Sequence, residues 1–301
     1  MIMSLVVILF SGCRVHISTG GRDYMSGETY PDAESYQTGS FTYTAAEVTA
    51  VEIYWRSGEV ELIETEEEEL QVSESSDLLQ ESAMHWLLDN GTLRIRFCGS
   101  GEKIDVDPND KYLTVELPKG IALSVHTTSA AVKAETLEQQ NVLVAALSGR
   151  TELGEVTAQS VDLSSSSGSI AAESIMADTL RCGSSSGAVW IERAAVETVG
   201  IKTSSGSVKL DEVSAEGITV GSSSGSVKLG LTAIGEAEIH TSSGSITLRL
   251  PEEGASLTYS AGGGKLHTAL AYERRGDLYV FGSGTGSITV ESGSGSLTVR
   301  D

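Results

Sequence analysis

Along most of the chain, apolar and polar residues alternate in short runs punctuated by glycine and serine. The runs "SVKL", "SVKLGLT" and "SITLRL" put Val, Leu or Ile at every second position, the spacing of a half-buried strand. Aligned on the glycine that follows a serine, paired in every rung but the first, the runs fall into register at Gly149, Gly168, Gly187, Gly206, Gly225 and Gly244, nineteen residues apart. The same ruler reaches back to Ala130 and forward to Gly263. Two residues past each marker stand Val132, Thr151, Ile170, Val189, Val208, Val227 and Ile246. Four past it stand Ala134, Leu153, Ala172, Ile191, Leu210, Leu229 and Leu248. Fourteen past it stand Val144, Leu163, Cys182, Ile201, Val220 and Ile239. Between the first two columns lie Lys133, Glu152, Ala171, Trp190, Lys209, Lys228 and Thr247.

A period of this length predicts one lap of a coil. One rung cannot bury its own apolar edge, but a second rung stacked on it as a parallel ladder closes a core. The expected fold is all-β: a single-chain parallel β-helix, or β-solenoid, with 19-residue rungs of two short strands plus turns. Seven steps from Ala130 to Gly263 give a rod of about 34 Å. The marker glycines are expected at tight corners that need positive φ, with neighbouring Ser and Thr bonding the turn backbone or one another.

Outside the repeat the pattern loosens. "VEIYWRSGEVELIETEEEEL", "GTLRIRF" and "KYLTVELPKGIALSVHTTS" read as strands, and "DLLQESAMHWLLDN" as a short helix. Residues 41–125 are therefore expected to form irregular, β-rich entry coils or a cap, and 126–301 the regular solenoid. Residues 14–40 are polar, rich in Gly, Ser, Thr and Tyr, without periodicity, and read as a flexible tether. Residues 1–13, "MIMSLVVILFSGC", are an apolar run too short to span a bilayer but suited to an export signal. The segment Phe10 to Cys13 resembles the lipobox of bacterial lipoproteins, which implies acylation at Cys13. More than one acyl chain makes a stable anchor, since each buried methylene adds about 0.8 kcal/mol.

Residues 48–301 resemble the bacterial putative-adhesin family of β-strand repeats, a domain-of-unknown-function (DUF4097-like) family. The resemblance is carried by "VTAVEIYWRSGEVEL", "LTVELPKGIALSVHTTS", the succession "SSSGSI", "SSSGAV", "TSSGSV", "SSSGSV", "TSSGSI" and the closing "GTGSITVESGSGSLTV". It implies a right-handed β-helix on envelope-associated proteins, with no agreed catalytic activity and no known ligand.

A net charge of −22 over 301 residues argues against nucleic acid, which needs a basic stripe, and leaves a lipid anchor as the expected route to a membrane. Cys98 and Cys182 sit at strand positions with no spacing that suggests a bridge, and read as small buried hydrophobes. Gly183 to Gly187 and Gly221 to Gly225 each fit G-x-S-x-G. That motif needs a following helix and partner His and Asp residues, and here it recurs every lap. The acidic loop "DVDPND" suits a hard cation but reads first as solvated. No metal or cofactor is expected. His126 and His240 share a phase but lie far apart along the rod.

Trp190, Lys209 and Lys228 fall in one outward column and form the candidate ligand face. The leading expectation is a non-catalytic, lipid-anchored binding or scaffolding module of a bacterial envelope, whose partner is a cell-wall glycan or another envelope protein. A polysaccharide-active β-helix enzyme would instead need clustered carboxylates. A third reading is an envelope-stress sensor.

Overall fold

The computed structural model describes residues 29–75, 82–102 and 111–301. The nineteen-residue register holds along the middle of the chain, where Thr151 pairs with Ile170, Ile170 with Val189, Val189 with Val208, Val208 with Val227 and Val227 with Ile246. All of these pairings are parallel, so like residues stand over one another rung after rung. The three inward columns are buried, from Val144 and Leu163 to Ile239 and from Leu153 to Leu248, with only Ala134 partly open. Each fully buried aliphatic side chain contributes about 1.5–3 kcal/mol relative to an exposed one.

Each regular rung is one bent strand rather than two strands and two turns. Thr151–Ser165, Ile170–Ser184, Val189–Thr203, Val208–Ser222 and Val227–Thr241 are each continuous over 15 residues. In Thr151–Ser165 the alternation of buried positions changes phase after Leu153 and again before Val161, and the pairing skips Gly154 and Gln159. These two positions let the strand bend across two sides while its ladder stays intact. One corner remains per rung, and its backbone is also paired vertically: the amides of Ser185 and Ser186 donate to the carbonyls of Ser165 and Ser166 at 3.2 and 2.9 Å.

The marker glycines stand at this corner, but none of Gly149, Gly168, Gly187, Gly206, Gly225 and Gly244 has positive φ. Close approach explains them instead. A β-carbon on Gly168 would stand 1.8 Å from the carbonyl oxygen of Gly149, and on Gly225 1.8 Å from that of Gly206. Beside the glycines runs a buried hydroxyl column. Thr203, Ser222 and Ser292 donate to the carbonyls of Gly206, Gly225 and Gly295 at 3.1, 3.0 and 2.8 Å, while Thr241 accepts from the Gly244 amide at 2.9 Å. The bonds tie each corner to its own strand rather than to the next rung.

The stack extends beyond the regular rungs, and at both ends spatial order departs from chain order. At the amino-terminal end, Ala50–Trp55 and Glu59–Thr65 lie inside, against Ala122–Thr127 and Ala131–Glu138. The later strands Thr92–Arg96 and Tyr112–Pro118 lie outside them. At the other end, Ser287–Ser292 and Leu297–Arg300 slot between the 236–249 rung and the strands Ser256–Ala261 and Leu266–Thr268. The forward extension of the ruler to Gly263 is thus corrected. Gly295 sits over Gly244 and Gly264 over Gly295, with β-carbon clearances of 2.0 and 1.9 Å. The stack makes about ten steps of 4.8 Å and is about 48 Å long.

Antiparallel strands close the ends. Glu69–Ser75 and Phe41–Thr44 extend one side of the amino-terminal end, and His85–Asp89 and Gln37–Thr38 the other. The helix expected in "DLLQESAMHWLLDN" is overturned at His85–Asp89. This strand joins Thr92–Arg96 through Asn90 and Gly91, both at positive φ of 49° and 80°. Asn-Gly is the favoured two-residue hairpin, and Trp86 buries against Phe41 with centroids 4.1 Å apart. The insertion "AYERRGDLY" forms the hairpin Glu273–Arg275 and Leu278–Val280, which covers Ser256–Thr258. The last residues of the segment read as a tether are docked: Tyr30 is buried and donates its hydroxyl to the Cys98 carbonyl at 3.0 Å. Cys13 and "DVDPND" lie outside the described residues.

Candidate binding face

The parallel register brings the predicted column together. Trp190 stands beside Lys209, and Lys209 beside Lys228, on consecutive rungs of one strand face. Alternation turns all three outward, because their flanking residues Val189, Ile191, Val208, Leu210, Val227 and Leu229 point into the core. Trp190 is 43% exposed, an unusual state for so large an apolar ring.

The indole is held from the next rung. Its Nε1–H donates to Asp211 Oδ2 at 3.2 Å, and the same oxygen accepts from Lys209 Nζ at 2.5 Å. The Lys209 ammonium also lies 5.3 Å from the centroid of the indole ring, within cation–π range. Burial pushes the Asp211 carboxyl upward, but the hydrogen bonds from Lys209 and Trp190, with the charges of Lys209 and Arg249, overcome it and hold its pKa low. One ring face and the ring N–H are therefore spent on the protein.

Arg249 reaches the same point from two rungs away, its Nη2 donating to the Asp211 carbonyl. The route passes Gly230, where an added β-carbon would stand 2.7 Å from that Nη2 and 1.9 Å from the Asp211 carbonyl oxygen. Arg249 pairs in register with Arg300 on the inserted carboxy-terminal rung. Asp211, Arg249 and Arg300 escaped the reading of the sequence. Asp211 and Arg249 stand five residues past their markers, one outward position beyond the column that was followed. Arg300 is invisible without the swapped rung order.

The other candidates disperse. His126 stacks on Tyr54 with centroids 4.9 Å apart and lies 2.9 Å from Ser124 Oγ, while His240 lies 3.2 Å from Glu291. Burial lowers the His126 pKa, with Glu52 opposing and Arg96 assisting. Cys98 and Cys182 are buried; burial pushes the Cys182 thiol far upward, and nearby Asp162 adds to the shift. The serines of Gly183 to Gly187 and Gly221 to Gly225 end one strand and open the corner before the next. Within "ETEEEEL", Glu64 and Glu66 gather around Lys119 with Glu138, at 3.9, 2.9 and 3.3 Å. An open groove of about 700 Å³ runs nearby, lined in part by Lys119, Glu138, Gln139, Gln159 and Asp178. The buried Gln139 is committed to the backbone, accepting from Ile121 N–H and donating to the Pro118 carbonyl.

The family model described as Toastrack DUF4097 matches residues 48–300. The chain belongs to this family. The Toastrack match begins at Val48, just before the first inward strand, and ends at Arg300, in the rung that slots into the stack. Among solved structures, a "putative adhesin" from Parabacteroides merdae is similar to this Toastrack chain at 13% identity and a TM-score of 0.58, covering 88% of this chain and 97% of the other. A "putative adhesin" from Parabacteroides distasonis matches at 14% and 0.56, over 88% and 97%. A "putative lipid binding protein" from the same organism matches at 18% and 0.55, over 87% and 97%. At such identities the likeness is one of fold. No curated protein matches the chain.

Proposed function

We propose that this protein is a non-catalytic binding module of a bacterial envelope, held to a membrane by lipid on Cys13 and engaging its partner through the outward strand face around Trp190. The observation that carries the reading is the exposed indole, fixed by Asp211 and Lys209 on a flat ladder of strands. A surface that binds without transforming its partner needs rigid, preorganised contacts, and this face has them. The carboxylates at the outward positions near Trp190 are already engaged: one oxygen of Asp211 is shared between two donors, and Glu192 pairs with Arg193 at 2.8 Å. Solved neighbours described as adhesins support surface binding by analogy. The apolar run before Cys13 supports export and acylation.

Membrane fractionation of cells producing wild-type and Cys13→Ala protein tests the anchor. The wild type is expected with the membranes and the variant in the extracytoplasmic soluble fraction; identical fractionation overturns lipidation. Retention of purified protein on envelope fragments tests the binding role, and no retention overturns it.

A further inference from the structure

Lys209, Lys228, Arg249 and Arg300 occupy four successive rungs of one face in a protein of net charge −22. The order is set by the inserted carboxy-terminal rung, which places Leu297–Arg300 directly against Ile246–Arg249. Outward positions between and beside these cations hold Thr247, Thr298 and Gly230; of the two acids at such positions from Trp190 onward, Asp211 is engaged by Lys209, Trp190 and Arg249, and Glu192 pairs with Arg193 at 2.8 Å. Lys228 and Arg300 are exposed, and neither has an ion-pair partner among the described residues. Elsewhere Lys133 pairs with Glu59 at 2.7 Å, and Lys119 with Glu64, Glu66 and Glu138. The strip is a local reversal of the molecule's charge, about 20 Å long from Trp190 to the inserted rung.

We infer that this strip binds an acidic polysaccharide laid along the stack, with one sugar ring on Trp190 and carboxylate substituents on Lys228 and Arg300. The inference rests on the binding-module reading and names its ligand class. Charge complementarity selects an anion. The indole selects a sugar: with its N–H bonded to Asp211 and one face under Lys209, what it offers is a fixed apolar surface, suited to the C–H face of a pyranose rather than to a hydrogen-bonding peptide. Repetition selects a polymer, since cations recur at every rung, about 4.8 Å apart. At physiological ionic strength the screening length is about 8 Å, so the strip acts locally despite the acidic remainder. Nucleic acid is disfavoured because a duplex would carry its phosphates beyond the strip onto acidic surface.

Binding of purified protein to polygalacturonate tests this, with dextran as a neutral polysaccharide, poly-L-glutamate as an acidic chain without rings, and phosphatidylglycerol vesicles as an anionic lipid surface. Polygalacturonate is expected to bind most tightly. Trp190→Ala and the pair Lys228→Gln/Arg300→Gln are each expected to weaken it about tenfold or more. Lys202→Gln, a change on another side of the rung, should leave it unchanged. Unaltered thermal unfolding of the variants assigns any loss to the surface. Equal binding of dextran, poly-L-glutamate or vesicles overturns the inference, as does polygalacturonate binding that ignores both strip variants. If envelope fragments retain wild type and strip variants alike, the strip is wrong and the binding module stands. If they retain no protein while polygalacturonate still binds, the envelope role fails and the strip stands.

Discussion

A β-carbon placed on Gly206 would stand 2.0 Å from the carbonyl oxygen of Gly187. No real contact of that kind is tolerated, so the two backbones can stack only while Gly206 has no side chain. Gly200 lies on the same rung, at an outward position with no atom within 4 Å of the equivalent point and with no positive φ.

The two glycines therefore predict opposite outcomes. Gly206→Ala is expected to destabilise by about 1–3 kcal/mol or more, because the ladder must open to admit the methyl group. Gly200→Ala is expected to be neutral or stabilising by about 0.5–1 kcal/mol, through the smaller backbone entropy of the unfolded chain. Urea unfolding of both variants checks this; equal effects would mean that the corner is not closely stacked.

Asp211 supplies a pH test. Its carboxyl has a folded pKa below the ordinary 3.8. Its contribution is complete above the ordinary value and lost as pH falls through the lower folded one. Trp190 fluorescence is expected to change with a midpoint below 3.8, and Asp211→Asn to abolish that change. At 37% side-chain exposure the global stability effect is small, so fluorescence is the proper readout.

The amino-terminal closure hangs on a buried ion pair. Lys111 is fully buried, 2.7 Å from Glu74 Oε1, and donates to the carbonyls of Ser82 and Phe97. Burial lowers its pKa, while the hydrogen bond and charge of Glu74 pull the other way. Lys111→Met strands the Glu74 charge and is expected to cost about 3–5 kcal/mol. The double change Lys111→Met/Glu74→Leu should recover most of it in urea unfolding. A single variant as stable as wild type would show the pair to be dispensable.

Truncation distinguishes the swapped ends from a simple coil. Removing residues 287–301 takes a rung from inside the stack and separates Val227–Thr241 and Ile246–Arg249 from Ser256–Ala261 and Leu266–Thr268. Limited proteolysis is expected to cut within residues 250–286 of the shortened chain and spare them in the intact one. Protection of that segment in both would argue against the insertion.

Much of the middle of the fold is legible in the sequence because its contacts repeat at one separation. Val208 and Val227 advertise their pairing by being the same residue in the same phase. The ends carry no such signal: Glu59 meets Ala131 and Glu236 meets Ser287, at separations that occur once and look like loops. The Asn90–Gly91 hairpin was readable, but "LLQESAMHWLL" has enough helix formers to mask it. At the candidate face the Trp190–Lys209–Lys228 column follows from alternation alone. Asp211 and Arg249 fall in the next outward column, two residues further on, where Gly154 and Gly230 interrupt the run of side chains. The marker glycines were correctly placed and wrongly explained, since intolerance of a side chain looks the same in sequence whether torsion or proximity causes it.

The slotting of residues 287–301 into the interior also bears on biogenesis. These residues are synthesised after every strand they separate, yet the strands preceding them cannot take their final neighbours until they arrive. Growth from the amino terminus must stall one layer short and wait. The stack thereby acquires a built-in check that residues 287–300 have arrived, which an open spiral adding turns in sequence would lack.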